Sequence, residues 1–255
     1  MTVTDAQLFE RFERLCEEYS EELPERDSSG IGTYGEKRLH KFLKRAVCAQ
    51  GGELEVKLGP YVADVLSDGE IYEIQTGGFY PLKKKLLYFL ENTDFGVTVV
   101  HPLIADRALI RIDPETGELV RRSRSPKHES PTDVLSELYY VREAFESERV
   151  RVLLVQISGD EYRFSERMRG RRQGAYDSEF FPRRMLGLCR LDDTDSVRAI
   201  LPPEIRAAER FDAASFAKAT RLGGTRLSLA LRLLCDLGIC ERQKEGRKYV
   251  YLMRY

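Results

Sequence analysis

Residues 53–76 read ELEVKLGPYVADVLSDGEIYEIQT, and their punctuation decides the fold. Three runs of strand-like alternation, Glu53–Leu58, Tyr61–Leu66 and Ile71–Thr76, are separated by the turn formers Gly59-Pro60 and Asp68-Gly69. That is the pattern of an antiparallel meander. If Asp68-Gly69 is a two-residue hairpin loop, Ser67 pairs with Glu70, and stepping outward pairs Leu66 with Ile71, Val65 with Tyr72 and Asp64 with Glu73. Two carboxylates then face each other with Cβ atoms about 5 Å apart, which destabilises a sheet unless a proton, a cation or solvent intervenes. A divalent metal ion is the economical answer, because with ligand oxygens about 2.1 Å from Mg²⁺ one ion bridges two carboxylates at that separation. Gln75, two residues beyond Glu73, falls on the same face.

Working outward, Leu8, Phe12, Leu15 and Tyr19 recur at helical spacing under a coat of Glu and Arg, predicting an amphipathic helix from Asp5 to about Glu22. Pro24 to Gly32 breaks it, and a second helix runs from about Tyr34 to Ala49, stopped by Gly51-Gly52. Glu36 sits in the first turn of this helix, at the head of the stripe Leu39, His40, Leu43 and Val47 that must face the sheet. A third carboxylate can therefore reach Asp64 and Glu73, although a glutamate there is also what the helix dipole favours. The stretch Gly30 to Gly35 spells G-x-G-x-x-G, but no strand leads into it, so a flexible approach to the helix is expected rather than dinucleotide binding. After the meander come a helix 82–90, a strand 96–100, a hairpin 108–112 with 119–122 about Pro114–Gly117, a helix 132–145 and a strand 150–157. Helices alternating with a mixed sheet give an α/β class.

The 255 residues carry 41 Lys+Arg against 42 Asp+Glu, a net charge of −1, which excludes a polycation and places any phosphate site locally. The balance is a cancellation: residues 1–30 carry a net −6, 161–190 a net +4 and 204–255 a net +5. No apolar run approaches the roughly 20 residues of a membrane span and the start is acidic, so a cytoplasmic protein without a membrane partner is expected. Five scattered cysteines, none as C-x-x-C, suggest neither a disulfide framework nor a zinc knuckle. Three histidines far apart, His40, His101 and His128, make a His-based metal site or triad hard to build, which leaves the chemistry to carboxylates.

The order of helix with Glu36, strands 53–58, 61–66 with Val62-Ala63-Asp64 and 71–76 with Glu73-Ile74-Gln75, then helix 82–90 and strand 96–100, resembles the core of the PD-(D/E)XK nuclease superfamily. The resemblance covers residues 34–100 and extends less securely to 157. It implies a restriction-endonuclease-like mixed sheet flanked by helices, with Asp64 and Glu73 holding Mg²⁺ or Mn²⁺, Glu36 assisting, and Gln75 in the place of the usual Lys. Two departures stand out: Ala63 replaces Pro, and neutral Gln75 orients a water but supplies no charge to a developing oxyanion. Some restriction enzymes carry Gln there, and E-x-Q also resembles competence-associated nucleases. Lys57, or Lys83, Lys84 or Lys85 on the next helix, are candidates for the missing cation; solvated basic residues are the alternative.

From Phe211 the pattern changes to helix 212–220, turn Gly223-Gly224, helix 225–237 and two strand-like runs about Glu245-Gly246, the order of a small winged helix-turn-helix. Leu227, Ala230, Leu231, Leu234 and Leu237 form its buried stripe, leaving Thr225, Ser228, Leu229 and Arg232 as a groove-reading face, with Arg242, Lys244, Arg247 and Lys248 of the wing for phosphates. The expected organisation is an N-terminal helix and linker (1–30), a nuclease-like core (31–158), an Arg-rich bridge (159–203) and the winged helix (204–255). The expected activity is metal-dependent hydrolysis of DNA, with duplex as partner. An inactive DNA-binding regulator and a protein-interaction or homodimerisation scaffold remain alternatives.

Overall fold

The computed structural model describes residues 4–20, 34–49, 51–113, 116–164 and 177–254, the side chains of residues 20, 34–37, 164 and 177 excepted. Helix α1 (Asp5–Ser20) buries Leu8, Phe12, Leu15 and Cys16. It packs on α2 (Tyr34–Val47), where the Phe12 and Phe42 rings meet edge to face at 4.8 Å. On α2 the buried residues Leu39, Phe42, Leu43, Ala46 and Val47 form the stripe expected from their spacing.

The meander forms as β1 (Glu53–Leu58), β2 (Tyr61–Ser67) and β3 (Glu70–Ile74). Its pairs are Val65 with Tyr72, Leu66 with Ile71 and Ser67 with Glu70, the register expected from a two-residue loop. Asp68 and Gly69 both take positive φ, 52° and 78°, as that tight turn requires. Glu55 in β1 also has φ 55°, a left-handed conformation that a non-glycine residue adopts at a cost.

Helix α3 (Lys83–Asn92) follows, preceded by one 3₁₀ turn, and leads to β4 (Gly96–Ile112). The runs 96–100 and 108–112, read as two strands, are one continuous strand that passes through His101 and Pro102. β5 (Leu119–Arg124) pairs antiparallel with its distal half, Ile112 with Leu119 and Ala108 with Arg124; Pro114 and Glu115 of the intervening turn lie outside the described residues. A 3₁₀ turn and α4 (Leu135–Phe145) then precede β6 (Val150–Phe164).

The described residues of the segment expected as an irregular bridge are largely sheet: β6 runs on to Phe164 and β7 spans Asp177–Leu191, while 165–176 lie outside the described residues. Arg183, one of the arginines that resemble a linker, is a sheet residue that donates to Asp160 of β6; Arg167, Arg169, Arg171 and Arg172 lie outside the described residues. Phe180 and Phe181 are both buried, so β7 lacks the simple alternation of a one-sided strand. The large sheet runs β1-β2-β3-β4-β6-β7, with β5 attached to β4.

Beyond it lie α5 (Thr194–Ala199), the single turn α6 (Pro203–Arg206), β8 (Arg210–Asp212), α7 (Ala213–Thr220), α8 (Gly224–Asp236), β9 (Cys240–Glu245) and β10 (Lys248–Met253). β8, β10 and β9 make a small antiparallel sheet, in which Phe211 stacks between Phe216 and Tyr251. Asp212 caps α7 through a reciprocal pair of hydrogen bonds with Ser215.

By its contacts the chain divides into two units. One comprises Met1–Thr76, Val100–Glu129 and Val155–Leu188; the other Gly77–Val99, Ser130–Leu154 and Cys189–Tyr255. The division falls within β4, β6 and β7. In the second unit α8 lies against α4. Arg226 reaches Asp133 at 2.7 Å, and Arg142 of α4 reaches Asp236 at 2.9 Å. Arg226, Leu229, Leu233 and Asp236 share one helix face by their spacing, which accounts for the apolar Leu229. No described helix is long and apolar enough to cross a membrane.

Candidate functional site

The register of β2 and β3 sets Asp64 opposite Glu73, one step beyond the last paired residues Val65 and Tyr72. There the backbone ladder gives way to a crossed exchange. Ile74 N–H donates to Asp64 Oδ2 at 2.9 Å, and Asp64 N–H donates to Glu73 Oε1 at 3.3 Å. Each carboxylate thus accepts a main-chain donor from the other's strand, which draws the two acids together. Glu73 is 1% exposed.

Helix α2 packs over β2 and β3 and sends two side chains onto Asp64. Lys44 Nζ lies 2.8 Å from Oδ1 and His40 Nε2 3.2 Å from Oδ2. Lys44 also reaches Glu55 Oε1 at 3.2 Å, so one ammonium bridges acids of β1 and β2. Its side chain is only 10% exposed, and that of Asp64 15%. Burial, the largest single influence, pushes the Asp64 carboxyl up. The hydrogen bonds from His40, Lys44 and the Ile74 N–H together outweigh it and hold the group at about 2. Burial works against the Lys44 charge too, but its bonds to Asp64 and Glu55 raise its pKa above the ordinary lysine value.

Asp64 and Glu73 are therefore brought together as expected. Gln75 follows directly after β3: its N–H donates to Val100 O at 2.9 Å, and His101 Nδ1 lies 2.6 Å from its carbonyl oxygen. Glu36 belongs to the first turn of α2, but its side chain lies outside the described residues. Lys57 is exposed on β1. Lys83, Lys84 and Lys85 belong to the other unit, where Lys83 pairs with Glu143 at 3.0 Å, Lys84 is exposed and Lys85 lies 5.8 Å from the Phe89 ring.

His40 and Lys44, which the sequence reading passed over as site residues, are the closest companions of Asp64. The signal was their spacing: Glu36, His40 and Lys44 follow at intervals of four, one face of one helix. Among the described residues no group of three or more His, Cys, Asp or Glu side chains is placed to hold a metal ion.

In the second unit, Thr225, Ser228 and Arg232 are all exposed on α8, Arg232 lying 5.8 Å from the Tyr139 ring of α4. Arg242 stacks over Tyr249 at 4.7 Å, and Lys244, Arg247 and Lys248 are exposed. No curated protein and no solved structure matches the chain. A family model described as Domain of unknown function (DUF8091) matches residues 37–188, more than half of the chain, with His40, Lys44, Asp64 and Glu73 inside the match, and the protein belongs to that family.

Proposed function

We propose that the protein is a metal-dependent DNA endonuclease with a restriction-nuclease-like core and a C-terminal winged helix that engages duplex. One observation carries this reading: the Asp64 and Glu73 carboxylates lie together on adjacent strands beneath α2, with the Lys44 ammonium on Asp64. Two hard oxygen ligands suit Mg²⁺ or Mn²⁺, which commonly take one or two protein carboxylates and complete their shell with water and phosphate. Asp64, ionised down to a pH of about 2, and Glu73 are the residues that would hold the ion. When bound it supplies positive charge to the phosphoryl oxygens and acidifies a water molecule.

The protein's own groups do the rest. Lys44 brings from α2 the charge that Gln75 lacks, within one hydrogen bond of Asp64. Gln75, whose backbone is fixed to Val100 and His101, would orient the attacking water through its amide. His40 steadies the second oxygen of Asp64.

A second reading has its own support. The Lys44–Asp64–His40 network satisfies Asp64 without any ion, as a staple between α2 and the sheet would, and α8 spends a face on α4. A non-catalytic DNA-binding regulator or interaction scaffold would need no more. The deciding experiment incubates the protein with linear, nicked, branched and single-stranded DNA, with and without Mn²⁺, beside Asp64→Ala and Glu73→Ala. Mn²⁺-dependent cleavage lost in both variants is the expected result. Cleavage equal in all three proteins, or none by the parent on any substrate, rejects the nuclease.

A further inference from the structure

The first unit contains a second concentration of charge, built from β4, β5, β6 and β7. An open cleft of about 750 Å³ is lined by Asp106, Arg122, Arg124, Ser158, Asp160 and Arg183, among others. Asp160 sits between two guanidinium groups. Arg183 Nε donates to its Oδ2 at 2.9 Å, and Arg122 Nη2 lies 3.6 Å from its Oδ1. Arg183 is further held by the Tyr162 hydroxyl at 3.3 Å, so its position is fixed from two sides. Arg122 is different: its side chain is 65% exposed and its Nη2, at 3.6 Å, stands beyond a direct hydrogen bond to Asp160. Arg124 is exposed and has no ion pair among the described residues.

The strand geometry arranges these groups in a row. Arg122 and Arg124 are two residues apart on β5, hence on the same face and about 7 Å apart along it. The lining carries three arginines against two aspartates, one of which is already shared by two arginines. Each guanidinium has five N–H donors in a planar fork, so donors are left over after Asp160 is satisfied. That fork matches the oxygens of a phosphate.

Among the described residues no aromatic side chain lines the cleft, and these offer no platform on which a base could stack. The chemistry present recognises phosphate and leaves the base unread. We propose that this cleft binds the sugar–phosphate backbone of a nucleic-acid strand, with Arg122 and Arg124 on successive phosphates and the Asp160–Arg183 pair as its fixed floor. The inference rests on nucleic acid being the substrate of the Asp64 site and gives that reading a sequence-independent grip on the chain.

The test is fluorescence anisotropy with a labelled oligothymidylate and a mixed-sequence duplex, in EDTA and across a salt series. The proteins are the parent, Arg122→Ala/Arg124→Ala and Arg122→Glu/Arg124→Glu, each checked for an unchanged circular dichroism spectrum and melt. Loss of two phosphate contacts lowers the slope of log affinity against log salt by about 1.4 on the single strand, or about 1.8 on duplex. Both variants should weaken binding roughly tenfold or more at low salt, the glutamate pair most. Cleavage with Mn²⁺ is scored in parallel.

A parent that binds without cleaving, its binding lost in both variants, upholds the cleft and removes the nuclease. A parent that cleaves, and binds no more tightly than the variants, removes the cleft and keeps the nuclease. A parent that binds inorganic phosphate at matched ionic strength but neither polymer overturns the cleft as a strand site. So does a parent that binds nothing.

Discussion

Replacing Asp64 by Asn separates the charge of this residue from its shape. Asn keeps an oxygen for the Ile74 N–H and stands in for the neutral acid, while Lys44 loses its buried partner and, among the described residues, retains Glu55, whose side chain is 72% exposed. The folded protein holds Asp64 at about 2 against an ordinary 3.8. At about 1.4 kcal/mol for each pH unit, that gap comes to roughly 2 kcal/mol in favour of the charged form. Since the folded pKa is depressed, this stabilisation is fully present above about pH 4 and is lost as pH falls through about 2. Urea denaturation of parent and Asp64→Asn at a series of pH values from 7 to 2 reads it directly. The variant should be less stable by roughly 2 kcal/mol at neutral pH, with the gap narrowing below pH 4 and nearly closed at pH 2. A gap that stays constant across the acid range, or no gap at neutral pH, refutes the charge network as the source. The outcome bears on the ion pairs alone and holds whether or not the site is catalytic.

Lys44→Met should lower Mn²⁺-dependent cleavage by about 10² to 10³ through kcat, with Lys44→Arg recovering part of it, if the ammonium serves the reaction. A loss seen only in KM would assign it to binding. Gly159→Ala puts a Cβ 2.3 Å from the Phe181 carbonyl oxygen and 2.5 Å from the Phe180 ring, so it should cost about 1–3 kcal/mol and lower the melting temperature; an unchanged melt would show that β6 and β7 can part there. The hydrogen bond from Cys240, whose sulfur is 3.7 Å away, holds the Cys235 thiol down at about 7. Its alkylation by iodoacetamide should therefore be half-maximal near neutral pH and shift toward 9 in Cys240→Ala, whereas an unmoved midpoint rules out the pairing.

The meander was the most legible part of the chain because its turns carry their own chemistry. Asp68-Gly69 accepts two positive φ values in succession, and once that loop is set, the register and the meeting of Asp64 with Glu73 follow by counting. The long strands were harder to read. β4 runs through Pro102, which reads as punctuation, and the arginines of β7 read as solvated linker until Asp160 of β6 is beside them. Strand pairing between residues more than twenty positions apart leaves little trace in a local pattern.

Periodicity reports which face of a helix is apolar; it does not say what a charged side chain on the border of that face touches. On α2 the border residues His40 and Lys44 turn inward to Asp64, since a carboxylate held beside a second one under a helix needs a counter-charge and the helix is the nearest source. On α8 the same ambiguity runs the other way. Thr225, Ser228, Leu229 and Arg232 read as a surface for a groove, yet Leu229 is half-buried on the face whose Arg226 binds Asp133, and the exposed Arg232 lies 5.8 Å from the Tyr139 ring. What remains for an outside partner on that helix is Thr225, Ser228 and the cation Arg232, with the basic hairpin of β9 and β10 to add to them. Duplex bound by the C-terminal module would therefore be gripped mainly at its phosphates by Arg247 and Lys248. Arg247→Ala/Lys248→Ala should then flatten the salt dependence of duplex binding without changing preference among sequences, and a change in sequence preference would instead restore α8 as the reading element.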